Sequence, residues 1–194
     1  MVTGRDTVLR AALLSAVILS VLAPAGPARA DLRIGNIDVF LNDFDITVHV
    51  VLFGAVPEGL QESLQSGIPI HVRLRVELWQ YNRFVPDRRT QSRNVDRQIT
   101  YNPLTKEYKV VSLKSEHREP YLTKDLREAQ RVISEFRIGN LIPAAQLNAK
   151  ELYYVRAQSI VSLGGVNSWF ARFTGDAEQT DWLRSNLLTL TRSQ

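Results

Sequence analysis

His49, His71 and His117 are the side chains of this chain best suited to bind a metal or move a proton. His49 and His71 fall on the polar side of extended segments, and Asp45 and Glu77 fall on those same sides. Two imidazoles and a carboxylate brought together would suit zinc. The spacing does not point there, because no two histidines stand at the short intervals that metal motifs use. Two exposed histidines on a wet sheet face are the expectation, with no metal site. There is no cysteine to serve as a nucleophile and no G-x-S-x-G turn to present a serine. Glu116 and Glu119 lie in a polar link. Asp125 and Glu128 lie near a helix start, where acids are favoured anyway. Gly164 and Gly165 lack the lysine of a phosphate loop and read as a hairpin turn. The residues give no catalytic set and imply no cofactor.

What remains is arginine beside aromatic residues. Arg83, Arg88, Arg89, Arg93 and Arg97 fall within fifteen residues, with Trp79, Tyr81 and Phe84 next to them. Such side chains recur at the energetic centres of interfaces, and a guanidinium pairs with carboxylate or phosphate. Residues 81–97 are expected to form an exposed hairpin or loop. It would dock an envelope protein partner or an anionic lipid surface, its charge softened by Asp87 and Asp96. Serine at Arg88, Arg89 and Arg93 together is then expected to leave folding intact. Arg97 stands apart, on a strand face shared with Val95, Ile99 and Tyr101. If that face is buried, Arg97 needs an acceptor or a route to water.

The elements that would position these residues are legible in the periodicity. "LRIGNIDVFL" and "FDITVHVVLF" read as an opening hairpin across Asn42 and Asp43. Phe44, Ile46, Val48, Val50 and Leu52 share one face, and Asp45, Thr47 and His49 the other. In "VPEGLQESLQSG", Pro57 opens a short helix, Val56, Leu60 and Leu64 form its apolar stripe, and Gly67 ends it. Ile68 to Trp79 alternate without a break, so Val72 and Leu74 should face the core, while Arg73, Arg75 and Glu77 face water. "YNRFVPDRRTQSR" reads as irregular, "NVDRQITY" and "KEYKVVSL" as strands across an "NPLT" turn, with Tyr101 opposite Tyr108. A second helix over "TKDLREAQRVISEF" would use Leu126, Ala129, Ile133 and Phe136, with Thr123 as N-cap and Gly139 as stop. "ELYYVRAQSIVSL" is a long strand, "SWFARF" follows the glycine pair, and "TDWLRSNLLTL" is ambiguous. About seven strands and two short helices predict an α+β, mainly antiparallel domain, as a sandwich or a highly curved sheet.

Residues 1–30 have the layout of a cleavable signal peptide: basic flanks, the apolar run "AALLSAVILSVL", and Ala28-x-Ala30. Cleavage after Ala30 would leave residues 31–194 as one periplasmic domain beginning at Asp31, without a transmembrane segment. It would also remove three of the 24 basic and one of the 20 acidic residues, leaving a net charge of +2. That near-neutral balance gives no reason to expect nucleic acid as a partner. With no cysteine, the core alone must hold the exported domain.

The order of blocks "PEGL…SGIP", "ITYNPLTKEYKV", "DLREAQRVI", "LYYVRAQ" and "TDWLRS", the first two the most specific, resembles domain-of-unknown-function family 4390 of exported proteobacterial proteins. The resemblance implies export, a gene often beside one for a membrane sensor kinase, and no assigned catalytic residues. A non-catalytic periplasmic binding or accessory module linked to envelope signalling is the expected function. The alternatives are an envelope hydrolase with a site built from distant residues, and a lipid carrier with an apolar cavity.

Overall fold

The structure, a computed structural model, describes residues 31–41, 45–164 and 177–190. The elements run β1 (Arg33–Leu41), β2 (Ile46–Phe53), α1 (Glu58–Gln65), β3 (Ile70–Tyr81), β4 (Arg88–Asn102), β5 (Glu107–Lys114) and β6 (Tyr121–Thr123). There follow α2 (Leu126–Ser134), β7 (Glu135–Ile138), a 3-10 turn at Ala144–Gln146, β8 (Leu152–Leu163), β9 (Ala177–Gln179), β10 (Leu183–Arg184) and β11 (Leu188–Thr189). Two sheets form, neither closed: a three-stranded one ordered β1-β2-β7, and an eight-stranded one running β10-β8-β3-β4-β5-β6, with β9 and β11 also on β8. This is the α+β, sandwich-like, mainly antiparallel architecture that the periodicity predicts.

The core lies between the sheets because alternation gives each long strand one apolar face. Ile70, Val72, Leu74, Val76 and Leu78 of β3 are all buried, as are Ile46, Val48, Val50 and Leu52 of β2, and they belong to one continuous cluster. Val56, Leu60 and Leu64 seat α1 on that cluster. Gly67 ends α1 with φ +89°, a value that a Cβ would oppose. Its N–H bonds the Leu64 carbonyl, and that of Ile68 bonds Ser63. Tyr101 pairs with Tyr108, ring centroids 4.7 Å apart.

Several local expectations change. The chain is irregular only between Tyr81 and Arg88; "RRTQSR" belongs to β4 and pairs with β3 through one register shift. The second helix stops at Ser134, and Phe136 belongs to β7, which pairs with β2. Its N-cap is Asp125, whose side chain accepts from the Arg127 N–H; Thr123 instead accepts from Asp125 N–H and donates to Glu128. Eleven strands form among the described residues, because β6 and β7 form on either side of the second helix and the C-terminal segment touches β8 in three short runs. Residues 1–30, Asn42, Asp43, Phe44, Gly165 and "SWFARF" lie outside the described residues.

Candidate functional site: an arginine and aromatic face on the long sheet

β3 runs at the centre of the large sheet, between β4 and β8. Its outward positions are Arg73, Arg75, Glu77, Trp79 and Tyr81. Pairing sets Glu77 beside Arg156, Trp79 beside Tyr154, and Arg156 beside Arg184 of β10. On the other side the β3–β4 register slips at Leu78 and Trp79, so that Leu78 opposes Gln91 but Trp79 opposes Arg89. That bulge decides the site. Without it Arg89, Arg93 and Arg97 would share a face by parity; the extra residue, Thr90, turns Arg89 outward while Arg93 and Arg97 stay inward.

Cations and rings then alternate across the outer face. The Arg156 guanidinium lies 4.2 Å from the Trp79 ring centroid and 4.3 Å from that of Trp182. Trp79 stacks with Tyr154 at 6.5 Å and 13°. Arg184 sits 3.5 Å over Tyr154 and 5.8 Å from Tyr81, and Arg75 is 5.9 Å from Trp182. Such contacts fix guanidinium planes that would otherwise swing freely.

Beneath them lies Glu77, only 1% exposed. Its Oε2 accepts from Trp79 Nε1 at 2.8 Å and from Arg156 Nε at 2.8 Å. Its Oε1 meets Arg75 Nε at 3.0 Å and Arg89 Nη1 at 3.2 Å. Burial pushes this carboxyl up, but the hydrogen bonds from Trp79 and Arg156 and the charges of Arg156 and Arg75 outweigh it and hold it below the usual carboxylate range. It is therefore an anion at neutral pH. One negative charge is shared by three guanidiniums, each still partly open to solvent. Arg75 and Arg89 each turn a single nitrogen to Glu77, which leaves further N–H donors facing outward. The arrangement can present guanidinium donors to an external carboxylate or phosphate.

The inner arginines do the opposite. Arg97, 1% exposed, gives Nε and Nη2 to the two oxygens of Glu116 at 2.7 and 2.6 Å. Its Nη1 reaches the carbonyls of Val132 and Glu135 at 2.8 and 2.6 Å, and its plane lies 4.1 Å over Phe136. Burial raises the Glu116 carboxyl, yet the hydrogen bonds and charge of Arg97, helped by Ser112, bring it below its ordinary value. Arg93 gives Nη1 and Nη2 to the carbonyls of Gly139 and Asn140 at 2.7 and 2.6 Å. Both arginines thus tie the end of α2 and β7 to the large sheet, so replacing Arg93 would touch folding as well as surface charge.

The remaining arginines and Phe84 gather at the β3–β4 turn. Arg83, Phe84, Arg88 and Arg89 are exposed there, while Trp79 and Tyr81 are half-buried behind it. Asp87, partly exposed, accepts from Asn82 N–H and Tyr154 Oη, both at 2.9 Å. Those two bonds, the Asn82 one first, lower the Asp87 carboxyl. His49 and His71 stand in different sheets. His49 lies 4.0 Å from Asp38, and burial drives the His71 imidazole toward its neutral form, opposed by Asp96. Among the described residues no three His, Asp or Glu side chains are placed to hold a metal. The periodicity placed Arg75 and Glu77 on this outer face with Trp79, but gave no sign of Arg156, Tyr154, Trp182 and Arg184 as their partners. Glu77 was expected in water, and the roof of arginines covers it.

A groove of about 470 Å³ runs between the β2–α1 link and α2. Its apolar strand residues meet Glu58, Gln61, Arg131 and Glu135, so it is open and mixed rather than an apolar chamber. No described helix is long and apolar enough to cross a membrane.

The family model described as "Domain of unknown function (DUF4390)" matches residues 29–183, and the chain belongs to that family. No curated protein and no solved structure matches the chain.

Proposed function

We propose, starting from membership of a family without an assigned activity, that this chain is an exported, non-catalytic binding module of the bacterial periplasm. Its binding surface is the outer face built from Arg75, Glu77, Trp79, Arg89, Arg156 and Arg184, and its partner carries carboxylate or phosphate groups. A role as an accessory to an envelope sensor kinase is part of the same proposal.

The observation that supports this most is the charge imbalance around Glu77. The partly buried Glu116 carboxylate is balanced by one guanidinium, that of Arg97. Glu77 draws in three guanidiniums, of which Arg156 is also stacked between Trp79 and Trp182, and leaves an excess of positive charge around it. Two probes test the reading: a polyglutamate peptide and vesicles of phosphatidylglycerol. The protein should bind at least one of them, more tightly at low salt, where these charges are least screened. Arg75→Gln with Arg89→Gln should weaken that binding about tenfold or more, since each surface cation contributes roughly 1 kcal/mol against an anionic surface. Glu77 keeps Arg156 and Trp79 in that variant, so the fold should persist. Absence of binding to either probe at low salt would sink the reading.

A further inference from the structure

We infer that the turn between β3 and β4 is a membrane-contact tip. Phe84 and Val85 enter the interfacial layer of an anionic phospholipid bilayer while Arg83, Arg88 and Arg89 engage its phosphates. The inference rests on the reading of the outer face as an anion-binding surface and names the partner of that surface.

Phe84 is 91% exposed and Val85 62% exposed, side by side and followed by Pro86. Single exposed apolar residues are ordinary on a surface. This pair differs in its setting. It stands at a convex end, since the last β3–β8 pair is Tyr81 with Leu152 and the turn continues past it. A convex apolar tip needs a cavity in a protein partner, whereas a bilayer yields to it. The tip is also held in shape. Asp87 fastens it through Asn82 N–H and through Tyr154 of the neighbouring strand, and Asn82 Nδ2 reaches the Pro86 carbonyl at 3.4 Å. Little ordering therefore remains to be done on contact.

The collar has the matching charge. Arg83 lies 5.7 Å from the Phe84 ring centroid, and Arg88 and Arg89 open the returning strand opposite Gln80 and Trp79. The nearest acid, Asp87, already accepts from Asn82 N–H and Tyr154 Oη. Lys150 and Glu151, before β8, cancel one another. Directly behind lie Tyr81 and Trp79, the residue types that settle at headgroup level. The turn at the other end of β4 makes the contrast. Leu104 is 92% exposed there, but it is a lone apolar residue, followed by Lys106 and Glu107 with opposite charges. A strand of this length separates the two turns by about 45–50 Å.

The absence of cysteine makes the test direct, because one introduced thiol is a unique labelling site. Val85→Cys carrying an environment-sensitive fluorophore should shift to the blue on phosphatidylglycerol vesicles. The same dye at Leu104→Cys should not. Phe84→Ser with Val85→Ser should lower partitioning onto those vesicles at least tenfold and change polyglutamate binding less than twofold. A protein that binds the vesicles while the Val85 dye stays in water overturns the tip and leaves the anion-binding reading standing. Tighter binding to polyglutamate than to vesicles makes the partner an acidic protein and also overturns it. Equal partitioning onto phosphatidylcholine removes the role of the arginine collar, and the inference with it. Binding to no anionic probe removes the reading beneath it.

Discussion

Arg97 and Glu77 sit on opposite faces of the same sheet, on neighbouring strands, and each is 1% exposed. Each breaks the rule that charges stay in water. The difference between them is stoichiometry. Arg97 meets one carboxylate and two backbone carbonyls, so its charge and its donors are used up inside the molecule. Glu77 is likewise satisfied, but by three cations that are not. A balanced buried charge is a fastening. An unbalanced one organises a surface with donors to spare, and only the second kind has something to offer a partner.

If Arg97 is a fastening, its loss should be the most damaging of these changes. Arg97→Ala strands the Glu116 carboxylate and two carbonyls, and breaking a buried pair from one side costs about 3–5 kcal/mol. Urea melts at pH 7 measure it. The same pair sets an acid dependence. The folded Glu116 carboxyl lies below its unfolded value, so its contribution is full above the unfolded pKa and disappears as pH falls through the folded one. Stability should drop between about pH 5 and pH 2. Because Glu77 is also lowered, Arg97→Ala should flatten that drop only in part.

Glu77→Gln should come next, at about 1–3 kcal/mol, because its roof is one side chain thick and water screens the arginines once the counter-charge is gone. It sharpens the comparison in a second readout. With the anion removed, three guanidiniums repel and lose their geometry, so binding to polyglutamate or phosphatidylglycerol should change together with stability. Arg97→Ala, at a temperature where it remains folded, should leave that binding unchanged. Equal effects of the two variants on binding would erase the distinction.

Arg93→Ala follows at about 1–2 kcal/mol, for two charge-assisted bonds to carbonyls at a partly exposed site. This is where the sequence misleads most. Arg89, Arg93 and Arg97 are four residues apart, and nothing in their types separates a surface cation from two clamps. The separation comes from one inserted residue at Thr90, opposite Trp79, and a bulge has no dependable sequence signature. Strand alternation, the hairpin and the Gly67 stop were legible because each follows from local backbone chemistry. Phe136 was misplaced because Ile133 and Phe136 continue a helical spacing, while pairing of β7 with β2 overrides it. Arg156, Trp182 and Arg184 were invisible as site residues because they reach β3 only through long-range pairing of β8 and β10.

Arg73 supplies the smallest effect and the control. It lies on the outer face two positions from Arg75, so by location alone it belongs to the binding surface. Its charge is balanced one for one: Nε and Nη2 meet the two oxygens of Asp96 at 2.7 and 3.2 Å. Arg73 itself is more than half exposed, so water and salt screen its side of the pair. Arg73→Ala should therefore change stability by about 0–1 kcal/mol. If imbalance rather than mere positive charge makes the surface, this variant should also bind the anionic probes within about twofold of the parent, although it shifts the charge by the same unit as Arg75→Gln. The two variants thus carry equal net charge. A loss for Arg73→Ala as large as that for Arg75→Gln would mean that the partner senses net charge alone, and that the arrangement around Glu77 confers no special site.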